Sequence, residues 1–183
     1  ISNLGRANDG SYYETQNYAI TESHEPGSTF KLVDLIAVLD DKKADTSKIY
    51  DSKGGVIEYY GRKVRDSKPG GYGKISLARG FELSSNTVLV QSVYDSYKNN
   101  PKQFVDRINS YGLNKPLGLP IKGEGKPVIP QPGTNRWSGV ALPWMAFGYG
   151  LSVTPLQTLT LYNAVANDGV MVKPIFVSEI KEW

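Results

Sequence analysis

Apolar residues recur at helical spacing in several separate parts of the chain. Between Phe30 and Leu39 they fill most positions, which predicts a mostly buried helix that begins at about Ser28. The same spacing predicts further helices over residues 74–81, 87–97, 101–111 and 155–166. Gly112 is a typical residue after a helix end, and Thr154-Pro155 is a typical helix start.

Short apolar runs bounded by turn residues predict strands. They lie at residues 1–4, 56–60, 170–172 and 175–180, and the run at 56–60 belongs to a hairpin. Residues 113–143 form a long loop rich in Pro and Gly, and such loops are often functional. Helices in the middle and strands at both ends predict a mixed α+β fold, with a sheet assembled from distant segments.

Composition narrows the chemistry that the chain can perform. The formal charge of +3 is small and evenly spread, so no basic face for nucleic acid is expected. There is no cysteine, hence no disulfide or thiolate metal site. His24 is the only histidine, so a histidine metal site or a Ser-His-Asp triad would depend on it alone. We expect no metal or cofactor, and a catalytic base other than histidine.

The sequence holds no run long enough for a membrane helix. Its best apolar run, residues 32–39, is short and contains Asp34, which favours a buried helix. The sequence begins without Met or a leader and stops at Trp183, directly after a predicted strand. We therefore expect residues 1–183 to be one partial domain, cut at both ends from a larger protein.

Ser28 and Lys31 are the first candidates for chemistry. Residues three apart share a helix face, and Ser28 lies where backbone N–H groups are unpaired and the helix dipole is positive. A serine there can attack a carbonyl, and a lysine made neutral by burial can accept its proton. The spacing alone has a structural explanation, because serine often caps helices.

Two strings resemble a known family. Residues 25–31, Glu-Pro-Gly-Ser-Thr-Phe-Lys, resemble the nucleophile motif of penicillin-binding proteins nearly letter for letter. Ser84 and Asn86, between two predicted helices, match the Ser-x-Asn motif that accompanies it, although alone they are typical of a helix cap. Residues 147–157 and 164–169 also resemble the class B members. The chain is thereby identified as a class B penicillin-binding protein of the septal, cell-division type.

The resemblance implies a fold, an activity and roles. The fold is that of penicillin-binding transpeptidases and serine β-lactamases, here a helical subdomain with an incomplete antiparallel sheet. Ser28 attacks the D-Ala-D-Ala amide of a peptidoglycan stem peptide, and Lys31 is its base. Ser84 relays a proton between Lys31 and the leaving group. Asn86 binds a substrate backbone amide and helps to fix Lys31.

The resemblance also implies partners and a location. The implied partners are stem peptides ending in D-Ala-D-Ala, β-lactam antibiotics and cell-division proteins, and none is a nucleic acid. The catalytic domain is expected in the periplasm, anchored to the bacterial inner membrane by a segment outside this sequence.

Alternatives remain open, because Ser-Thr-Phe-Lys at residues 28–31 also resembles the first motif of class D β-lactamases. The third motif of the penicillin-binding proteins, Lys-Thr-Gly or Lys-Ser-Gly, is absent from the sequence. We expect it to lie beyond the sequence, leaving this piece weakly active or inactive. The alternatives are a class D-like β-lactamase, a β-lactam sensor that acylates without turnover, and a structural fragment with inherited motifs. The first two usually carry Ser-x-Val, so Asn86 argues against them.

Overall fold

Seven α-helices and six short strands form the described part of the chain, residues 4–177, 179 and 181 of a computed structural model. The helices are α1 (Tyr18–Thr21), α2 (Lys31–Asp40), α3 (Leu77–Glu82), α4 (Asn86–Tyr97), α5 (Pro101–Ser110), α6 (Ala141–Met145) and α7 (Pro155–Ala166). The strands are β1 (Leu4–Arg6), β2 (Tyr12–Glu14), β3 (Ile49–Asp51), β4 (Val56–Tyr59), β5 (Arg62–Arg65) and β6 (Lys74–Ser76). Two 3₁₀ turns, Gly27–Phe30 and Lys53–Gly55, complete the elements.

The strands pair two by two and antiparallel. β1 pairs with β2, β3 with β6 and β4 with β5, with Tyr50 opposite Ile75 and Ile57 opposite Val64. Single bridges also join His24 to Val153, and Val128 to Ser152. The fold is therefore mixed α+β, as predicted, with helices as its main component.

Helix α4 is the centre of the core. It packs against α2, α3, α5 and α6, and buries apolar side chains on several faces: Val88, Leu89, Val90, Val93 and Tyr97. Each fully buried side chain of this size contributes about 1.5–3 kcal/mol of transfer free energy. This packing fixes the N-terminal end of α4, where Asn86 lies.

Three helix predictions are confirmed closely, and two need correction. α4, α5 and α7 lie where the spacing places them. The helix predicted from Ser28 begins as the 3₁₀ turn and becomes α-helical at Lys31. The helix predicted over residues 74–81 is wrong at its start, because residues 74–76 form β6 against β3. A tertiary partner outweighs local propensity there.

The predictions of strands have different outcomes in different parts of the chain. The strand predicted at residues 56–60 is confirmed as β4, Val56–Tyr59, of a hairpin, and Tyr60 lies in its turn. Residues 1–3, 178 and 180 lie outside the described residues, and β1 begins at Leu4. Residues 170–177 and 179 are in no strand, and their apolar side chains are exposed, Ile175 by 83%. A strand needs a neighbour for its backbone hydrogen bonds, and no described segment pairs with these residues.

None of the described helices combines the length and the apolar character needed to cross a lipid bilayer.

Replacing Thr154 with Ala tests the predicted start of α7. The Thr154 hydroxyl accepts from the Gln157 backbone N–H at 3.2 Å, and the Gln157 side chain accepts in return from the Thr154 N–H at 2.9 Å. Losing such a cap costs about 1 kcal/mol, measured as a lower urea midpoint. Thr158→Ala, the same change inside the helix, is the control and is expected to be neutral or slightly stabilising. Equal losses in the two variants would contradict the cap.

Candidate active site

The segment before Ser28 is clamped to a glycine-rich loop. The Gly27 N–H donates to the Gly148 carbonyl at 3.0 Å, and the Glu25 carboxylate accepts from the Gly150 N–H at 2.8 Å. Gly148 has a φ of +83°, and a Cβ there would lie 2.0 Å from the Gly27 carbonyl oxygen. Only glycine permits this approach, so the backbone position of Ser28 depends on it.

Ser28 itself lies in the 3₁₀ turn and is exposed. Phe30, two residues later, is buried and anchors the turn in the core. The Thr29 carbonyl accepts from the Tyr162 hydroxyl at 2.9 Å, which ties the turn to α7. Within the described residues the Ser28 hydroxyl has no hydrogen-bond partner, so it is open to a reactant.

Lys31 is held by two residues from the α3–α4 junction. Its ammonium group donates to the Ser84 carbonyl at 2.7 Å, the Ser84 hydroxyl at 2.9 Å and the Asn86 side-chain oxygen at 2.6 Å. The side chain is only 1% exposed. These contacts account for all of the donors of a protonated lysine. A neutral Lys31 has a free lone pair, which can accept a proton from a hydroxyl nearby.

The backbone of Ser84 is unusual, with a φ of +53°. This left-handed geometry turns both its carbonyl and its hydroxyl toward Lys31. The loop is held by the Ser84 N–H, which donates to Phe81, and by the Ser85 N–H, which donates to Gly80. A serine in this conformation costs on the order of 1 kcal/mol, and such strain is common at functional sites.

The end of β5 supports the same loop. The Asp66 carboxylate accepts from the Ser85 hydroxyl at 3.0 Å, and from the backbone N–H and hydroxyl of Thr87 at 2.9 and 2.8 Å. The Asn86 side-chain NH₂ donates to the Arg65 carbonyl at 2.7 Å, which leaves its oxygen facing Lys31. Asn86 therefore has a single amide orientation that satisfies both partners.

Burial lowers the pKa of Lys31, so that a larger fraction of this side chain is neutral and able to accept a proton near neutral pH. Desolvation is the main cause that lowers its pKa from 10.5 to about 8, while the negative charges of Asp34 and Asp66 partly offset it. A lysine with this pKa has a neutral fraction of roughly one tenth at pH 7 and one half at pH 8.

The structure brings three of the four predicted site residues into direct contact. Lys31, Ser84 and Asn86 share hydrogen bonds, and Ser28 lies one helical turn before Lys31 without bonding to them. His24 lies in the backbone bridge to Val153. No group of three or more His, Cys, Asp or Glu residues that could hold a metal ion occurs in the described part of the chain.

Sequence reasoning missed two carboxylates beside Lys31. Asp66 gives no sequence signal, because its partners lie about twenty residues away in the chain. Asp34 is visible in the sequence as the one charge in the apolar run of residues 32–39, where it favours a buried helix. It is fully buried, and burial raises its pKa well above the usual range.

Comparison with known proteins gives one family. The model described as "Penicillin binding protein transpeptidase domain" matches residues 3–183. Penicillin-binding protein PbpB of Mycobacterium tuberculosis is 30% identical over 182 residues, which cover 93% of this chain and 26% of that protein. Peptidoglycan D,D-transpeptidase FtsI of Escherichia coli K12 is 28% identical over 167 residues, covering 90% of this chain and 26% of that protein.

A solved structure agrees with these relatives. Penicillin-binding protein 3 of Mycobacterium tuberculosis, complexed with aztreonam, superposes with a TM-score of 0.76 at 28% identity, covering 91% of this chain and 35% of that one. The chain thus spans about a quarter of the length of the curated relatives it matches.

Replacing Gly148 with Ala tests the clamp on the Ser28 turn. Gly133→Ala is the matched control, because Gly133 has nearly the same φ, +85°, but nothing within 4 Å of an added Cβ. Both changes cost about 1 kcal/mol for the left-handed backbone. Gly148→Ala must also push Gly27 away, so its loss in the free energy of urea unfolding is expected to be clearly larger. Equal losses would show that the close approach is not required.

Proposed function

This chain belongs to the penicillin-binding protein transpeptidase family, and on that premise we propose that it carries the acyl-transfer site of a class B peptidoglycan D,D-transpeptidase. The observation that carries the proposal is the buried Lys31, bonded to Ser84 and Asn86, one helical turn from the exposed Ser28. These residues are proposed as base, proton relay, substrate-binding amide and nucleophile respectively.

The first half of the reaction follows from this geometry. Neutral Lys31 accepts the proton of the Ser28 hydroxyl while the Ser28 oxygen attacks the carbonyl carbon of the D-Ala-D-Ala amide. The Ser28 backbone N–H, at the start of a helix, donates to the oxyanion that forms. The C–N bond then breaks, and a proton passes from Lys31 through the Ser84 hydroxyl to the departing amine of the terminal D-Ala.

The second half returns the site to its starting state. An amine of a neighbouring stem peptide attacks the Ser28 ester, loses a proton to the same relay and expels the Ser28 oxygen. An amide crosslink forms, and Ser28 regains its proton. Asn86 is suited to hold the donor peptide, because Lys31 and the Arg65 carbonyl fix its amide and leave the second N–H of its NH₂ group to donate to the peptide.

β-Lactams are proposed to acylate the same oxygen. Their strained amide resembles the D-Ala-D-Ala bond, and a structural neighbour of this chain was solved with aztreonam. The Asn86 contact with Lys31 favours a transpeptidase over a class D-like β-lactamase or a β-lactam sensor, whose second motif usually ends in Val.

The wider biology is proposed from the family. We propose a septal role in cell-wall synthesis, with cell-division proteins as partners and a periplasmic location at the inner membrane. We also propose that residues 1–183 are part of the transpeptidase domain. Its Lys-Thr-Gly or Lys-Ser-Gly strand would lie outside this sequence, since the motif is absent from the printed residues.

Labelling with a fluorescent penicillin tests the function. We expect a stable label that mass spectrometry places on Ser28, in a longer form of the protein that includes the third motif and weakly or not at all in residues 1–183 alone. Ser28→Ala should abolish the label, whereas Ser47→Ala, a surface serine that bonds only Asp45, should retain it.

Each other outcome has a definite meaning. Rapid loss of label with release of hydrolysed penicillin indicates a β-lactamase. Stable label without crosslinking of stem peptides indicates a sensor. Absence of label on the longer protein rules out the proposed acyl-enzyme.

The pH dependence of acylation tests Lys31 as the base. Only neutral Lys31 accepts a proton, so the acylation rate constant should fall about tenfold per pH unit below the pKa of about 8 and level off above it. Stopped-flow measurement from pH 6 to 9.5 gives the profile. His24→Gln, which removes the only histidine, should leave the profile unchanged. A flat profile would falsify the assignment of Lys31.

A further inference from the structure

Asp34 is a buried carboxyl group without a partner. It lies on α2 with 0% exposure, and both of its oxygens lack a hydrogen bond within the described residues. Its neighbours on the helix include the buried Val33, Ala37 and Val38. An unpaired buried polar group costs about 1–3 kcal/mol. Packing therefore gives no reason for a carboxyl at this position, which an apolar residue would fill at lower cost.

Among the described residues, Lys31 is the one charged group that acts on Asp34, and it lies three residues earlier on the same helix. Side chains at this spacing share a face, with Cβ atoms about 5–6 Å apart. The two make no ion pair, because the Lys31 ammonium is turned toward Ser84 and Asn86. Their interaction is therefore electrostatic, across a short distance in a site from which water is excluded.

Other charges near α2 are engaged elsewhere. On α3, Arg79 pairs with Glu82. On α4, Lys98 pairs with Asp95. On α5, Lys102 pairs with Asp106, and Arg107 binds Asp41 at the end of α2. The 3₁₀ turn that packs on α2 carries no charged side chain. Asp66, after β5, is the second carboxylate that acts on Lys31, and it is already bonded to Ser85 and Thr87.

Hydrogen bonds favour a protonated Lys31, because its ammonium group has three acceptors, whereas Asp34 has no hydrogen-bond partner among the described residues, either as an acid or as a carboxylate. Burial favours the neutral form of Asp34, and the attraction between the two charges opposes burial: the Lys31 charge lowers the pKa of Asp34, and the Asp34 charge raises the pKa of Lys31. The two groups therefore titrate as a unit. When it is ionised, Asp34 opposes the effect of burial and keeps Lys31 a stronger base than desolvation alone would leave it.

We propose that Asp34 is a positioning residue for acylation, which acts through Lys31 by placing a negative charge one helical turn from its ammonium group. The proposal rests on the proposed function, in which Lys31 takes the proton of Ser28. A base that is too strongly desolvated is neutral but accepts a proton poorly. The negative charge of Asp34 limits this loss of base strength. It does so without occupying a hydrogen-bond donor of Lys31 and without projecting into the space of the reactant.

Asp34→Asn tests the proposal in the form of the protein that acylates. The substitution removes the charge and keeps the shape. The acid limb, which is the part of the pH profile where the acylation rate rises with pH, should therefore move to lower pH by about one unit or more. The rate above the limb should fall, because Lys31 becomes a weaker base. A purely structural role would not move the limb.

Asp40→Asn is the matched control. It makes the same charge change on the same helix, but Asp40 is exposed, bonds Tyr111, and lies nine residues beyond Lys31, roughly 13 Å along the axis. Its profile should coincide with that of the unmodified protein. Asp34→Val gives a second variant in case the buried amide of Asn impairs folding. It should shift the limb in the same direction without lowering the thermal midpoint.

A second readout separates this inference from the proposed function. The ¹³C shift of the Lys31 side chain next to its amine, assigned by its loss in Lys31→Arg, reports the titration of Lys31 without any substrate. A lower midpoint in Asp34→Asn supports the inference. If the protein acylates but neither the limb nor the Lys31 titration moves, the inference is overturned. If no acylation occurs at all, the proposed function fails instead.

Discussion

The burial of one ammonium group sets the requirements for most of the structure. Removing an ion of this size from water costs several kcal/mol unless hydrogen bonds replace its hydration. Lys31 is 1% exposed and obtains three acceptors from Ser84 and Asn86. Those acceptors come from a segment more than fifty residues away, so α2 and the start of α4 must meet in one exact register. The packing of α4 against four neighbouring helices provides that register.

A second set of contacts keeps the acceptors in place. Ser84 stays in its left-handed conformation only because the loop on either side of it is held by Phe81, Gly80 and Asp66. Asp66 follows a strand of the β4–β5 hairpin, which gives this small two-stranded element a role in the site. The hairpin, the loop and the two helices thus act together to hold Lys31, while Ser28 remains exposed.

Local sequence was sufficient where a signal acts within one element. α4, α5 and α7 follow from apolar spacing and caps. The site residues are predicted from the resemblance to a family, and the structure brings Lys31, Ser84 and Asn86 into contact, while their roles stay predictions. Local sequence failed where a distant partner decides. Residues 74–76 read as helix because their partner β3 lies about twenty-five residues earlier, and residues 170–177 read as strand although no described segment pairs with them. The sequence gives no signal for Asp66 for the same reason. The loop that Asp66 holds is distant from it in the sequence and comes close only in the folded chain.

A lysine as the proposed base links proton transfer to the hydrophobic core. A histidine can act as a base while exposed, but a lysine must lose its hydration to become neutral near pH 8. Lys31 is buried on a helix whose apolar residues, among them Val33 and Val38, belong to the hydrophobic core. A core substitution that admits water should therefore restore the lysine's ordinary proton affinity even where the chain still folds. Base strength and packing are therefore linked through the burial of α2, and the unpaired carboxyl of Asp34 on this helix is a feature that packing does not explain.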